Sequence, residues 1–171
     1  ELIRRNVNVN NLYVKDEYPT GTALVLLDKN AERTIFSVSG AYCELTGDDV
    51  KRILSPGLKA ISIAGFFTEP VLENDGGLLE LLIAARETGI LVFADLASDK
   101  RGLGIEGIKR FLPYTDYFLP SLIDAEKMTG LKGPEKNAAL YRELGCGNVI
   151  IKCGADGCFI NSDEFTGMIP A

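Results

Sequence analysis

From residue 60 onward the chain repeats one pattern: a short apolar run rich in Val, Ile, Leu, Phe or Ala, then a longer stretch with apolar residues at helical spacing. Runs with so little polar alternation suit strands covered on both faces. Strands that alternate with helices pair in parallel, because each helix carries the chain back across the sheet. The expected strands are 60–64, 90–95, 117–120 and 149–153. Between the first two, Gly77-Leu78-Leu79-Glu80-Leu81-Leu82-Ile83-Ala84-Ala85-Arg86-Glu87-Thr88-Gly89 reads as a helix of good formers closed by glycine. Further helices are expected over 106–112, ended by Pro113, and over 135–144, with Pro134 in the first turn and Gly145 at the exit. A shorter one is expected to start at Asp48 or Asp49 and run through Leu54.

Two other features flank this array. Residues 21–28 and 33–39 are β-rich and surround the polar turn Lys29-Asn30-Ala31-Glu32, which predicts an antiparallel hairpin. Near the end, Cys158-Phe159-Ile160-Asn161 comes after Gly154-Ala155-Asp156-Gly157 closely enough to return beside the last strand.

Composition narrows the function. With 171 residues and 46% hydrophobic content, the chain can bury one core of useful size. Its net charge of −6 offers no basic stripe to neutralise a phosphate backbone, so no nucleic-acid partner is expected. No apolar stretch approaches the roughly 20 residues that cross a bilayer, so no membrane partner is expected either. Glu1-Leu2-Ile3-Arg4-Arg5 lacks the apolar block of a secretory signal, which makes the expected location cytoplasmic. The chain contains no His, which removes Ser-His and Cys-His pairs and mixed zinc sites. Cys43, Cys146, Cys153 and Cys158 form no Cys-x-x-Cys and read as reduced thiols. Chemistry must therefore rest on carboxylates, Lys, Arg, backbone amides or a borrowed metal.

Open α/β sheets bind ligands beyond the carboxyl ends of their strands, and three segments lie there. In Pro120-Ser121-Leu122-Ile123-Asp124-Ala125-Glu126-Lys127-Met128-Thr129-Gly130, either Ser121 or Asp124 can cap a short helix that Gly130 ends. This is either an ordinary strand-to-helix turn or part of a ligand site. In Lys152-Cys153-Gly154-Ala155-Asp156-Gly157, two glycines three apart form a tight turn whose amides can approach a phosphate, without the Gly-Lys-Ser/Thr ending of a Walker loop. Asp95-Leu96-Ala97-Ser98-Asp99-Lys100-Arg101-Gly102 concentrates charge at the same edge, a solvated loop being the plainer reading. No Gly-x-Gly-x-x-Gly opens a helix, which disfavours a generic dinucleotide-binding domain.

Glu126-Lys127-Met128-Thr129-Gly130 resembles the end of the Asn-x-x-Glu segment of ribokinase-like, PfkB-family carbohydrate kinases, with Ser121 where the family has Asn and Asp124 where it has Glu. Pro19-Thr20-Gly21-Thr22-Ala23-Leu24 and Gly40-Ala41-Tyr42-Cys43-Glu44-Leu45-Thr46 are similar to the family's lid strands and its Gly-Ala-Asn-x-x-Leu-Thr, Tyr42 replacing Asn. Val149-Ile150-Ile151-Lys152-Cys153-Gly154-Ala155-Asp156-Gly157 is similar to the strand ending in Thr-Leu-Gly-x-x-Gly, and Phe93-Ala94-Asp95-Leu96 to the Asp-Pro-Asn strand end.

The resemblance implies a Rossmann-like three-layer αβα sandwich with a small β-hairpin lid. It divides the chain into residues 19–39 as lid and 58–171 as parallel-sheet core within one partial kinase domain. It implies transfer of the ATP γ-phosphate to a hydroxyl of a small-molecule sugar, with Mg2+. ATP and Mg2+ are then expected near Ser121, Asp124, Lys152, Gly154 and Gly157, with no protein group ligating the metal directly. The substrate is expected near Thr22, Ala23, Arg33 and the Gly65-Phe66-Phe67 edge. Arg33 can equally be read as a cap of the hairpin turn beside Glu32, and the two Phe as core. The family's catalytic Gly-Ala-Gly-Asp motif does not occur in these residues, so the chain alone is expected to be inactive. A nucleoside or vitamin kinase of the same superfamily, or a non-catalytic relative, are the alternatives. A homodimer through the lid is expected, because a bare hairpin edge is a liability.

Overall fold

The computed structural model describes residues 1–171, the side chain of Arg52 excepted. Two sheets form. The smaller pairs β1 (Thr22–Leu27) antiparallel with β2 (Arg33–Val38), Thr22 opposite Val38 and Leu27 opposite Arg33. Asp28 holds its turn: Oδ1 accepts from the amides of Asn30 at 2.8 Å and Glu32 at 2.9 Å. Arg33 is therefore not the cap but the first residue of β2. Every residue of both strands is exposed.

The larger sheet runs in chain order, β3 (Ala60–Phe66), β4 (Leu91–Leu96), β5 (Tyr117–Phe118), β6 (Asn148–Lys152), β7 (Cys158–Asn161) and β8 (Thr166–Ile169). The first four are parallel, as their alternation with helices demands, and the last two antiparallel. The region 58–171 is thus a mixed sheet, parallel only through β6. The helices are α1 (Gly47–Val50), α2 (Pro70–Asn74), α3 (Gly77–Glu87), α4 (Leu122–Thr129) and α5 (Pro134–Glu143).

Parallel strands in sequential order, joined by right-handed crossovers, send every connection over the same face. The burial pattern agrees. Val92, Ala94, Leu96, Phe118, Val149 and Ile151 point into the core with Leu78, Leu82 and Ala85 of α3 and Tyr141 of α5. Their neighbours Phe93, Asp95, Tyr117 and Ile150 point the other way and are half-buried. Of the three layers implied by the sequence, these residues build the sheet and one helical layer. On the open face Phe93 stacks on Tyr117 with ring centroids 4.6 Å apart.

Three expectations change. The helix expected over 106–112 is replaced by 3-10 turns at Gly104–Gly107 and Leu112–Tyr114, with Pro113 inside the second. Ile108, Phe111 and Leu112 are fully buried, so the apolar spacing was real, but Gly107 must lie flat against Phe67, where a Cβ would come within 2.8 Å of the ring. The helix expected through Leu54 gives way after Val50 to a 3-10 turn, Lys51–Ile53, and its cap is Thr46 rather than Asp48 or Asp49. Asp49 instead completes a capping box with Thr46, accepting the Thr46 amide at 2.9 Å. The strand β5 is shorter than 117–120 because Pro120 cannot donate to a ladder. The short α2 and the strand β8 are additions that the sequence alone does not lead one to expect.

Asp49 also receives Lys15 Nζ at 2.7 Å, which in turn donates to the Glu44 carbonyl at 2.6 Å and so ties the N-terminal segment to α1. The Lys15 ammonium, then the Thr46 amide, hold the Asp49 carboxyl at about 2 against an ordinary 3.8. A depressed carboxylate stabilises the fold above its unfolded value and loses that contribution as pH falls through its folded one. Asp49→Asn should therefore lower stability by about 1 kcal/mol at pH 7, discounted for solvent screening, with the difference shrinking from pH 4 and gone near pH 2; chemical denaturation across that range measures it. At the α1–α3 crossing, a Cβ on Gly77 would lie 2.2 Å from Gly47 Cα. Gly77→Ala should cost about 1–3 kcal/mol in the same measurement, as backbone must move to admit the methyl.

Candidate functional site

The carboxyl ends of β4, β5 and β6 converge through a short run of backbone bonds. The Leu119 amide donates to the Ala94 carbonyl at 2.8 Å and the Lys152 amide to the Pro120 carbonyl at 2.9 Å, while Ser121 and Lys152 form a further parallel bridge. This seam brings together three segments that stand far apart in sequence: Asp95, the Ser121–Asp124 turn and Lys152.

Ser121 is the cap of α4. Its Oγ accepts the Asp124 amide at 3.1 Å and donates to Asp124 Oδ2 at 2.5 Å. The pair first does the work of an ordinary N-terminal cap. It also fixes one carboxylate at the ligand edge, and no hydrogen bond from the described residues reaches Asp124 Oδ1. Beneath it lies Tyr141, fully buried, its hydroxyl without a hydrogen-bond partner among the described residues. Burial, then the Asp124 charge, push the Tyr141 phenol well above its ordinary value, so it stays neutral. Asp124 also lines a cleft of about 360 Å³ with Asp99, Gly102, Gly104, Lys127 and Met128.

Lys152 emerges from the end of β6 and reaches across β5 to Asp95, Nζ to Oδ2 at 2.5 Å. Beyond it Gly154 (φ 62°) and Gly157 (φ 96°) turn the chain into β7. Only Gly154 leaves open space where a side chain would stand. At Gly157 a Cβ would lie 2.0 Å from the Ile169 carbonyl, so that glycine is required by β8.

The expected substrate residues lie elsewhere. Thr22, Ala23 and Arg33 are on the exposed two-stranded sheet, whereas Gly65 is in β3 against Ala97, 3.0 Å from where its own Cβ would be. Among the described residues one side-chain hydrogen bond joins lid and core, Lys100 Nζ to Ser37 Oγ at 3.0 Å.

Sequence reasoning missed the turn after β3. Phe67 has φ 78°, a left-handed conformation that costs a non-glycine residue energy and must be held in place. Glu73, almost completely buried, holds it by accepting the Phe67 amide at 2.5 Å, and Glu73 also pairs with Arg101 from the loop after β4. Arg101 in turn lies over the Phe67 ring, 5.8 Å from its centroid. The turn presents Glu69 to a cavity of about 830 Å³ lined also by Lys15, Tyr18, Thr20, Tyr42 and Leu45. Burial pushes the Glu69 carboxyl up, the Glu73 charge adds to the rise, and the Thr68 hydroxyl opposes it. The Gly65-Phe66-Phe67 edge is singled out by its residues, and of the two rings Phe66 is fully buried core, but nothing local marks Phe67 as left-handed or Glu69 as facing a cavity.

Among the described residues no three His, Cys, Asp or Glu converge on a point where a metal ion could sit, and no helix is long and apolar enough to cross a membrane. The four cysteines are unbonded to one another, and burial pushes the Cys146 thiol up to about 12, which leaves it inert.

The chain has clear relatives. Residues 1–171 match the model of the pfkB family carbohydrate kinases. The chain is 25% identical over 169 residues to the bifunctional ribokinase/ribose-5-phosphate isomerase A of Fructilactobacillus sanfranciscensis, covering 96% of this chain and 30% of that protein. It is 27% identical over 166 residues to the ribokinase of Mus musculus, covering 94% of this chain and 49% of that enzyme. A double mutant of the fructokinase of Vibrio cholerae, solved with fructose, ADP and potassium ion, superposes with a TM-score of 0.76 at 16% identity, over 99% of this chain and 56% of that one. The chain thus spans half or less of the curated relatives it matches. With the family's model matched along its whole length and the family's fold reproduced in its strands, the chain belongs to the pfkB family of carbohydrate kinases.

Proposed function

We propose that the protein carrying this chain transfers the γ-phosphate of ATP to a hydroxyl of a sugar or sugar acid. The observation that carries this reading is the meeting of Ser121, Asp124, Lys152 and Asp95 at the carboxyl edge of a parallel sheet in a chain of this family. Phosphoryl transfer asks mainly for positioning and charge neutralisation, so a chain without His loses nothing by it. Lys152 and the amides around Gly154 supply positive charge and donors to a nucleotide's phosphates, Gly157 shaping the turn. The reach of Asp124 suits a carboxylate that holds Mg2+ through water rather than directly, in keeping with a cation that keeps several waters and takes its remaining ligands from the substrate phosphates. Bound there, Mg2+ would neutralise charge on the transferring group.

The acceptor is assigned to the side of the molecule that carries the lid residues Thr22, Ala23 and Arg33 and the β3 end at Gly65. Glu69, with its raised carboxyl, adds a hydrogen-bonding group to the adjoining cavity. Residues 19–39 serve as the lid and 58–171 as the sheet core that carries the nucleotide site. The lid also has reason to pair with a second copy: Leu24 is 60% and Phe36 59% exposed on a sheet of only two strands, which is marginal alone in water.

This assignment is open to test at three points. The product of the longest reading frame that encodes this chain should release ADP from ATP and Mg2+ with one member of a panel of pentoses, hexoses, sugar acids and nucleosides, whereas residues 1–171 alone should not. Turnover confined to nucleosides would replace the acceptor class, and silence with ATP still bound would favour a non-catalytic relative. Asp124→Asn should lower kcat by about 10- to 100-fold, the scale of losing a group that orients a metal, and the deficit should deepen as Mg2+ is lowered. Sedimentation should find a dimer that Leu24→Lys converts to monomer.

A further inference from the structure

The Asp95–Lys152 pair has features that an ordinary strand staple does not need. It joins β4 to β6 over the end of β5, so both partners stand at the edge where ligands bind, not within the ladder. The Lys152 and Asp95 side chains are 46% and 37% exposed, and an ion pair that open contributes little to stability and is readily given up. Together they border a cleft of about 370 Å³ with Ser62, Ala64, Phe93 and Leu119, in which Lys152 is the one cation and Asp95 the one anion among the described residues. The Lys152 backbone is fixed by its bond to Pro120 and its bridge to Ser121, so only the four-carbon stem moves. The Asp95 carboxylate is steadied from below by the Leu96 amide at 2.7 Å.

We infer that Asp95 holds Lys152 in reserve, and that a nucleoside polyphosphate binds by taking the Lys152 ammonium away from it. The inference rests on the nucleotide site proposed above and adds a competitor built into that site. The exchange runs downhill because one carboxylate charge is traded for a phosphate chain carrying several, while the ammonium, a compact point charge with three donors, needs no particular bidentate geometry and can follow either partner. Parking the side chain on Asp95 keeps it at the strand edge in the free protein, at the cost of the contact that must be broken when the ligand arrives.

The two partners therefore have opposite effects on nucleotide affinity. If the pair were only a staple, removing either residue would loosen the same strand ends and weaken binding alike. The experiment is calorimetric titration of ATP, ADP and adenosine into the product of the longest reading frame, for the unaltered protein, Lys152→Met, Asp95→Asn and the double variant, with thermal unfolding as a check on folding. Lys152→Met should weaken ATP about tenfold, the worth of a charge-assisted phosphate contact. Asp95→Asn should tighten it about threefold, the worth of an exposed pair no longer to be broken. The double variant should bind like Lys152→Met alone, and adenosine should bind all four proteins equally. Weaker ATP binding by Asp95→Asn, or unchanged binding by both single variants in a protein that binds ATP normally, overturns the exchange and leaves the kinase reading standing. Failure of the unaltered protein to bind ATP overturns both. If Lys152→Met does not fold, Asp95→Asn decides alone, since a gain in affinity cannot come from damage.

Discussion

The whole candidate site depends on the backbone hydrogen bonds of β5. This strand is two residues long, yet it pairs on both sides, with β4 through Phe93 and Ala94 and with β6 through Asn148 and Val149. β4 runs two residues past its last partner in β5 and β6 three, so the side chains at their ends meet over the end of the shorter strand. Pro120 has no amide to extend the ladder, so the chain turns there and hands its next residue, Ser121, to α4. A longer β5 would carry Ser121 and Asp124 past the end of β6. A missing one would leave Asp95 and Lys152 with nothing to reach across.

The electrostatics of the chain divide along burial. Where charge is buried it is locked: Glu73 serves the Phe67 amide and Arg101 together, and the partly buried Asp49 is held ionised by Lys15 and the α1 cap. A buried charge that lost its partners would be costly, so these groups position loops rather than exchange ligands. At the strand ends the Asp95–Lys152 pair is open to water and can trade partners at small cost. The nucleotide site proposed for this edge calls for the second kind of group, supported by the first.

The two kinds were not equally legible. The helix over 77–87 and the hairpin were readable because their signals are local: apolar period, a closing glycine, a polar turn between β-rich runs. The 106–112 segment carried the same apolar period and still did not become an α-helix, since Ile108, Phe111 and Leu112 are held by what they pack on and Gly107 by the Phe67 ring. Ser121 and Asp124 were picked out as alternatives for one cap; the fold uses both, one as cap and the other as its acceptor. Gly157 looked like a residue freed for a ligand, and its space is taken by a strand, β8, that no local pattern announced.

The sequence by itself determined the fold class, the order of the four parallel strands, the exclusion of His-based chemistry and the family, because each of these is written in residue type and short-range spacing. Only the tertiary structure decided that Asp95 and Lys152 touch, that Glu69 faces a cavity, and that Phe67 is held left-handed by Glu73 and Arg101. Those are relations between residues separated by other strands and loops. Sequence spacing carries no distance across a sheet; the register of the hydrogen-bonded strands and the packing of one face supply it.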